Sequence, residues 1–302
     1  MSQRLRNLWG SYWPLSFLPL LLLGLLALSG GARPEHVAVA GVATLLAWGN
    51  KHSKSFLLAA LPALIVVIGY DCLRFVEPYI LAHRKIYACE VRDLDAALFG
   101  AATGFAPADL VTAWNRPWLD ILFAIPYAAF WMAAIVWAIF LFLTDRFLLR
   151  RFLWSLAFVF LCAFAIWCLF PVAPPWYVHM LGCAIDIHAP PNPAGLLRVD
   201  AALGIDYFGS FYARSPVVFG AMPSLHVAFP AIAAVTGWRQ FPLWGRLAAV
   251  FATLWMIAAS VYLDHHWVVD GAAAVALAFI ANAVLSLVWP AYRATAPRHS
   301  GS

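Results

Sequence analysis

The chain has 302 residues and a net charge of +5; 64% of its residues are hydrophobic and only 11% are charged. Soluble domains have roughly half apolar and a quarter charged residues, so this composition, with a mean hydropathy of +0.82, excludes an ordinary soluble protein. The small positive charge is normal for a membrane protein and gives no reason to expect a nucleic-acid partner.

Apolar runs that can cross a bilayer recur along the chain. Because a bilayer core needs about 20 apolar residues per helix and holds no water for unpaired backbone groups, we predict an all-α, polytopic membrane helical bundle. The predicted spans are 14–30, 36–49, 56–80, 118–143, 152–170, 216–237, 245–263 and 267–289. We divide the chain into two N-terminal accessory spans (1–55), a six-span catalytic core (56–290) and a short cytoplasmic tail (291–302).

Two long segments between the spans differ from the rest of the chain. Residues 81–116 mix charges with apolar residues at helical spacing, which is typical of a helix on the membrane surface. Residues 171–215 contain six prolines, which exclude a long helix there. Cys89 and Cys183 fall in these two segments, and a shared outer face would permit a disulfide between them.

Charge placement predicts the orientation in the membrane. Short loops rich in arginine, such as 144–151 and 239–246, alternate along the chain with long loops whose cations are offset by acids. Because short basic loops mark the cytoplasmic side, both termini are expected inside. The two long segments are then expected on the extracytoplasmic face.

Two histidine motifs lie at the ends of adjacent predicted spans. Pro223-Ser224-Leu225-His226 begins one span, and the second motif, from His265 to Asp270, follows the next, so both are expected on the extracytoplasmic face. In a helical segment His266 and Asp270, four residues apart, share a face. The carboxylate can then orient the ring and leave one nitrogen with a free lone pair, as a nucleophile requires.

The surroundings of these motifs suit a phosphate. The start of a helix at Pro223-Ser224 offers unpaired N–H groups and a hydroxyl. His226 would be the complementary acid, and Arg198 and Arg214 could supply cationic donors. His265 either lines the same pocket or caps the helix. Together these groups predict phosphoryl transfer through a phosphohistidine.

The same residues are compatible in part with two other classes of function, a metal site and a channel or transporter. Two histidines and an aspartate can also hold zinc, but the chain has no H-E-x-x-H motif or carboxylate cluster. A channel or transporter would show polar residues at mid-membrane in paired halves, and the predicted spans have few deep charges. We expect no metal and no cofactor.

The two motifs resemble signatures of a known family. Pro223-Ser224-Leu225-His226 resembles the second signature of the type-2 phosphatidic acid phosphatase superfamily, and residues 259–270 resemble the third. The resemblance covers about residues 56–289. It implies that His266 is the nucleophile and Asp270 orients it, while His226 protonates the leaving alcohol and Ser224 contacts phosphate.

Departures from the family pattern point to one branch. The third signature usually has Ser-Arg where this chain has Ala259-Ser260, and the first signature has no match. Both gaps resemble the inositol phosphorylceramide synthases and related inositol phosphotransferases, which also carry a double histidine and a Pro-x-x-Pro-Pro element like residues 171–175. Arg214, Arg198 and His265 are then expected to bind phosphate in place of the missing cations.

The resemblance implies a lipid phosphotransferase. It would move a phospho-headgroup, phosphoinositol, from a phospholipid donor to a lipid-alcohol acceptor within the membrane. The alternative is a lipid-phosphate or isoprenyl-diphosphate phosphatase that uses the same site with water as acceptor.

Overall fold

The computed structural model describes four stretches of the chain, and most of their residues are helical. They are residues 2–28, 31–100, 103–111 and 114–288. Within these ranges no β-strand forms, and strand-like pairing is limited to isolated bridges of Val172 with Tyr87 and Gly220. The predicted all-α fold is confirmed. The predicted tail, 291–302, and the end of the last predicted span, 289, lie outside the described residues.

Six helical runs among the described residues are long and apolar enough to cross a membrane, so the chain is an integral membrane protein. The first, Gln3–Leu28, joins α1 (Ser2–Trp9), a 3-10 helix (Gly10–Phe17) and α2 (Leu18–Leu28). The others are Lys51–His83 (α4), Pro117–Thr144 (α7), Arg146–Leu169 (α8), Leu243–Tyr262 (α13) and Val268–Val288 (α14).

Two of the eight predicted spans are shorter than a bilayer requires. Helix α3 (Pro34–Trp48) has 15 residues and α12 (Leu225–Gly237) has 13. The predicted start of the sixth span at residue 216 is wrong, because residues 216–224 are not helical. Helix α12 packs against α8, α13 and α14, and most of its residues are buried, so it is surrounded mainly by protein rather than lipid and does not need full bilayer length.

The described residues divide into two compact units, one up to residue 64 and one from residue 65 onward. In the first unit, side chains close the ends of the helices with bonds to backbone oxygens: Trp9 Nε1 donates to the Ala47 carbonyl at 2.8 Å, and Lys54 Nζ donates to the Leu8 carbonyl at 2.8 Å. The second unit contains both histidine motifs. The predicted boundary at residues 55 and 56 between accessory and catalytic parts stays a prediction.

Short helices form the face where the histidine motifs lie. The segment 81–116 contains α5 (Cys89–Phe99) and α6 (Pro107–Val111) rather than one surface helix. Helix α5 ends just before Gly100, where a side chain would not fit, because an added Cβ would lie 2.4 Å from the Ala96 carbonyl oxygen. The proline-rich segment contains α9 (Pro175–Leu181), α10 (Leu196–Leu203) and α11 (Tyr207–Tyr212), as its prolines predict. A disulfide joins Cys89 to Cys183, as the sequence permitted.

Candidate active site

His266 lies in the short loop between α13 and α14, and its ring is held by main-chain and side-chain oxygens. Its Nδ1 is 2.8 Å from the Ala221 carbonyl oxygen and 3.5 Å from Asp270 Oδ2. Because a carbonyl oxygen only accepts, Nδ1 carries the proton and Nε2 keeps its lone pair. His266 is not on the helical segment that the sequence prediction assumed, and its nearest partner is a carbonyl that sequence reasoning missed.

Asp270 is fully buried and binds the start of its own helix. Its Oδ2 accepts a hydrogen bond from the Trp267 N–H at 2.8 Å. The carbonyl oxygen of Asp270 accepts from the Ser224 N–H at 3.1 Å, so the two motifs are also tied through their backbones. The carboxylate therefore caps α14 and faces His266 with the same oxygen.

His226 meets His266 across the interface between α12 and the α13–α14 loop. Its Nδ1 is 3.4 Å from His266 Nε2, although the two residues are 40 positions apart in sequence. The ring of Tyr127 stacks on His226 with centroids 4.3 Å apart. The two nitrogens thus converge on one point, where a group attacked by one ring lies within reach of the other.

Ser224 forms the first turn of α12 rather than standing free in the pocket. It is fully buried, and its Oγ accepts from the Val227 N–H at 3.4 Å as an N-cap. An N-capping side chain fixes where a helix begins. This cap places His226 on the first turn of α12. The predicted contact of Ser224 with phosphate stays a prediction.

His265 is buried behind the facing histidines. Its Nε2 is 3.0 Å from the Pro193 carbonyl oxygen, and its ring stacks between Tyr127 and Tyr212 at 5.2 and 4.9 Å. Burial lowers the pKa of His265 to about 3, so the ring stays neutral at physiological pH. Because His265 Nε2–H donates to the Pro193 oxygen, only Nδ1 remains for the predicted contact with phosphate. Tyr127, which sequence reasoning did not select, touches both His226 and His265.

The two candidate arginines differ in their surroundings. Arg198 Nε and Nη2 both bind Asp120 Oδ1, at 2.9 and 2.8 Å, and the Tyr262 hydroxyl donates to the same oxygen at 3.0 Å. Arg214 is exposed in the turn that follows α11, and no side-chain partner is found for it among the described residues. Arg198 is therefore already neutralised by a carboxylate, while Arg214 is the cation available to a ligand.

Asp95 is a further residue that sequence reasoning missed. It lies on α5, is fully buried, and its Oδ1 accepts from the Val269 N–H at 2.8 Å. It therefore stabilises the first turn of α14, next to Asp270. In the sequence Asp95 is one acid within an amphipathic segment. Solvent-exposed acids occur in the same pattern, so the sequence does not distinguish Asp95 from them.

Replacing Asp95 with asparagine is expected to flatten the pH dependence of stability. Burial raises the pKa of the Asp95 carboxyl from 3.8 to about 6, so the folded protein binds this proton more tightly than the unfolded chain. The stabilisation from the protonated Asp95 carboxyl is therefore present below pH 4 and is lost as the pH rises. Between pH 4 and pH 6 the free energy of unfolding is expected to fall by about 2 kcal/mol from this group. Asparagine keeps an acceptor for Val269 and cannot ionise.

Thermal unfolding in detergent between pH 4 and 6 measures this difference. Asp93→Asn, an exposed acid on the same helix, is the matched control and should retain the wild-type profile. Parallel profiles for wild type and Asp95→Asn would contradict the expected role of this carboxyl.

Comparisons with known proteins support the resemblance of the motifs. A family model described as PAP2 superfamily matches residues 92–284. The chain is 30% identical over 257 residues to the phosphoinositol dihydroceramide synthase of Bacteroides thetaiotaomicron, covering 83% of each chain. No solved structure matches significantly.

Two fungal proteins are also similar over part of their length. The inositol phosphorylceramide synthase catalytic subunit aur1 of Schizosaccharomyces pombe is 29% identical over 72% of this chain and 52% of its own. The inositol phosphorylceramide synthase of Candida albicans is 33% identical over 56% of this chain and 35% of its own. The chain thus spans about half or less of these fungal relatives.

Proposed function

The chain belongs to the PAP2 superfamily, and from that membership we propose that it is a membrane phosphotransferase that moves phosphoinositol from a phospholipid to a ceramide-type lipid alcohol. The convergence of His226 Nδ1 and His266 Nε2 at 3.4 Å carries the proposal, because it brings an oriented nucleophile and a proton donor to one point. The printed names of the relatives motivate the headgroup and the acceptor.

In the first half-reaction His266 Nε2 attacks the phosphorus of the donor phosphodiester. A P–N bond forms, the P–O bond to diacylglycerol breaks, and protonated His226 gives its proton to the leaving oxygen. The positive charge that develops on the His266 ring is stabilised through Nδ1–H by the Ala221 carbonyl and Asp270.

In the second half-reaction the acceptor hydroxyl attacks the same phosphorus. Neutral His226 takes the hydroxyl proton, the P–N bond breaks, and both rings return to their starting states. Arg214 is the cation we assign to the phosphate oxygens, because Arg198 is already paired with Asp120.

Transfer of label between lipids tests this proposal. Purified protein in mixed micelles receives phosphatidylinositol labelled in the inositol, with and without ceramide. Label should move to a new lipid only when ceramide is present. Water-soluble inositol phosphate as the sole product would instead identify a phosphodiester hydrolase, and phosphate release from phosphatidic acid without lipid-to-lipid transfer would identify a phosphatase.

The active site is proposed to face the extracytoplasmic side. Short arginine-rich loops lie at the opposite ends of the spans, and the Cys89–Cys183 disulfide ties α5 to the segment after α9 on the side of the histidines. Disulfides persist in oxidising compartments. Accessibility of Cys89 and Cys183 in intact cells, measured with a membrane-impermeant maleimide after mild reduction, tests the orientation. Labelling only after cell permeabilisation would contradict it.

Asp270→Asn is expected to lower transfer by about 10 to 10³-fold, less than loss of the nucleophile. Asparagine removes the charge that stabilises the phosphorylated ring, but the Ala221 carbonyl still holds the His266 tautomer. Steady-state kcat for label transfer measures the effect. Because Asp270 acts through His266, the loss should appear in kcat with little change in KM. A change confined to KM would contradict this role.

A further inference from the structure

A large cavity lies between the membrane helices on the side away from the histidines. It has a volume of about 810 Å³ and lies between α12, α13 and α14, with Arg151 of α8 at one end. Pockets of this volume bind ligands of the size of a drug. Leu254 and Phe279, which line it, are 60% and 59% exposed. The cavity therefore opens sideways toward the bilayer.

This cavity is separate from the candidate active site. None of His226, His266 and Asp270 lines it. A closely packed layer lies between them, in which a Cβ added at Gly271 would be 3.1 Å from Ile257 and 3.6 Å from Val227. Ile257 also lines the cavity, so this layer is the wall between the cavity and the histidines. A ligand in the cavity would not reach the histidine nitrogens.

One end of the cavity is cationic and the rest is mostly apolar. At that end the Arg151 guanidinium donates to the Asn282 side chain, and to Ser286 Oγ at 2.8 Å. Arg239, exposed just after α12, lines the same end. Among the described lining residues there are two arginines and no carboxylate. This positive charge favours binding of an anion at that end of the cavity.

Helix α14 gives the length and depth of the cavity. Its lining residues run from Ala272 to Ser286, about 21 Å at 1.5 Å per residue. A bilayer core is about 30 Å thick, so the cationic end lies near the interface opposite the histidines. The apolar part reaches beyond the middle of the membrane. These dimensions fit an amphiphile with an anionic head and a long apolar chain.

We propose that this cavity binds one anionic phospholipid of the leaflet opposite the histidines. Its phosphate contacts Arg239 and Arg151, and one acyl chain lies along α14 toward Ala272. The donor lipid of the proposed reaction must place its phosphate at His266, so this lipid is a second ligand and not the substrate. The site does not depend on the proposed function.

Native mass spectrometry of the purified protein, titrated with dioleoyl phosphatidylglycerol, tests the site. Ala272→Trp fills the apolar part, and Ala276→Trp, an exposed alanine of α14 outside the lining, is its control. Arg239→Ala removes a cation, and Arg150→Ala, an exposed arginine outside the lining, is its control. The test does not require the buried Arg151 to be changed.

The expected result is one tightly bound lipid in the wild type, in both controls and in His266→Ala. Ala272→Trp and Arg239→Ala should each weaken that binding about tenfold. The tryptophan occupies the volume that the acyl chain needs, and the loss of Arg239 removes a charge-assisted contact with the phosphate. Equal affinity in all variants would overturn the proposal. Loss of the lipid in His266→Ala would also overturn it, because the bound lipid would then lie at the histidines.

Discussion

Replacing His266 with alanine is expected to lower phosphoinositol transfer by at least about 10⁴-fold, the scale on which loss of a nucleophile acts. Among the described residues, its Nε2 combines a lone pair fixed by a bonded Nδ1 with a position 3.4 Å from a second histidine. No other group in the described part of the site has this combination. Label transfer in mixed micelles measures the loss.

The fold should survive this substitution, because the His266 side chain makes one short hydrogen bond and does not cap a helix. Circular dichroism and a thermal melt should match those of the wild type. His188→Ala, an exposed histidine of the proline-rich segment, is the matched control and should keep full activity. Transfer by a folded His266→Ala at more than about a hundredth of the wild-type rate would remove the nucleophile assignment.

His226→Ala is expected to lower transfer by about 10² to 10⁴-fold, the usual contribution of a general acid or base. The loss should depend on the leaving group, because a good leaving group needs no proton. An inositol phosphodiester that releases 4-nitrophenol is a suitable donor. With this donor the single-turnover burst of nitrophenolate should be nearly normal in His226→Ala and absent in His266→Ala.

The burst isolates the first half-reaction, in which His226 gives a proton, from the second, in which it takes one. Steady-state turnover of the nitrophenyl donor should therefore stay low in His226→Ala even when the burst is restored. A burst as impaired as transfer from the natural donor would contradict the assignment of His226 as the acid. His226 would then act through the position of His266 alone.

Part of the candidate site could be predicted because motif spacing and membrane crossing act together. Two adjacent helices whose motifs lie at their outer ends must return those motifs to one face. The structure places His226 and His266 in contact. Asp270 also lies 3.5 Å from His266, but His266 is in the loop before α14 and not on the helical segment that the spacing argument assumed. The family resemblance then supplied the roles that spacing alone left open.

Other parts of the site carried no usable signal. The carbonyl that holds His266 belongs to Ala221, and a main-chain oxygen is present at every residue. Tyr127 and Asp95 are separated from the histidine motifs by about 100 residues or more, yet they touch His226 and the first turn of α14. The ion pair between Asp120 and Arg198, which changes what Arg198 can offer a ligand, joins residues 78 positions apart in sequence.

The amino-acid sequence by itself determined that this protein folds in a membrane, that it is helical and that its two histidine motifs meet at one face. The reason is that a bilayer admits few backbone structures, and apolar length reports them directly. Only the tertiary structure decided the length of α12, the tautomer of His266, the pairing of Arg198 and the cavity beside α14. Each of these depends on contacts between distant residues, and local patterns do not encode such contacts.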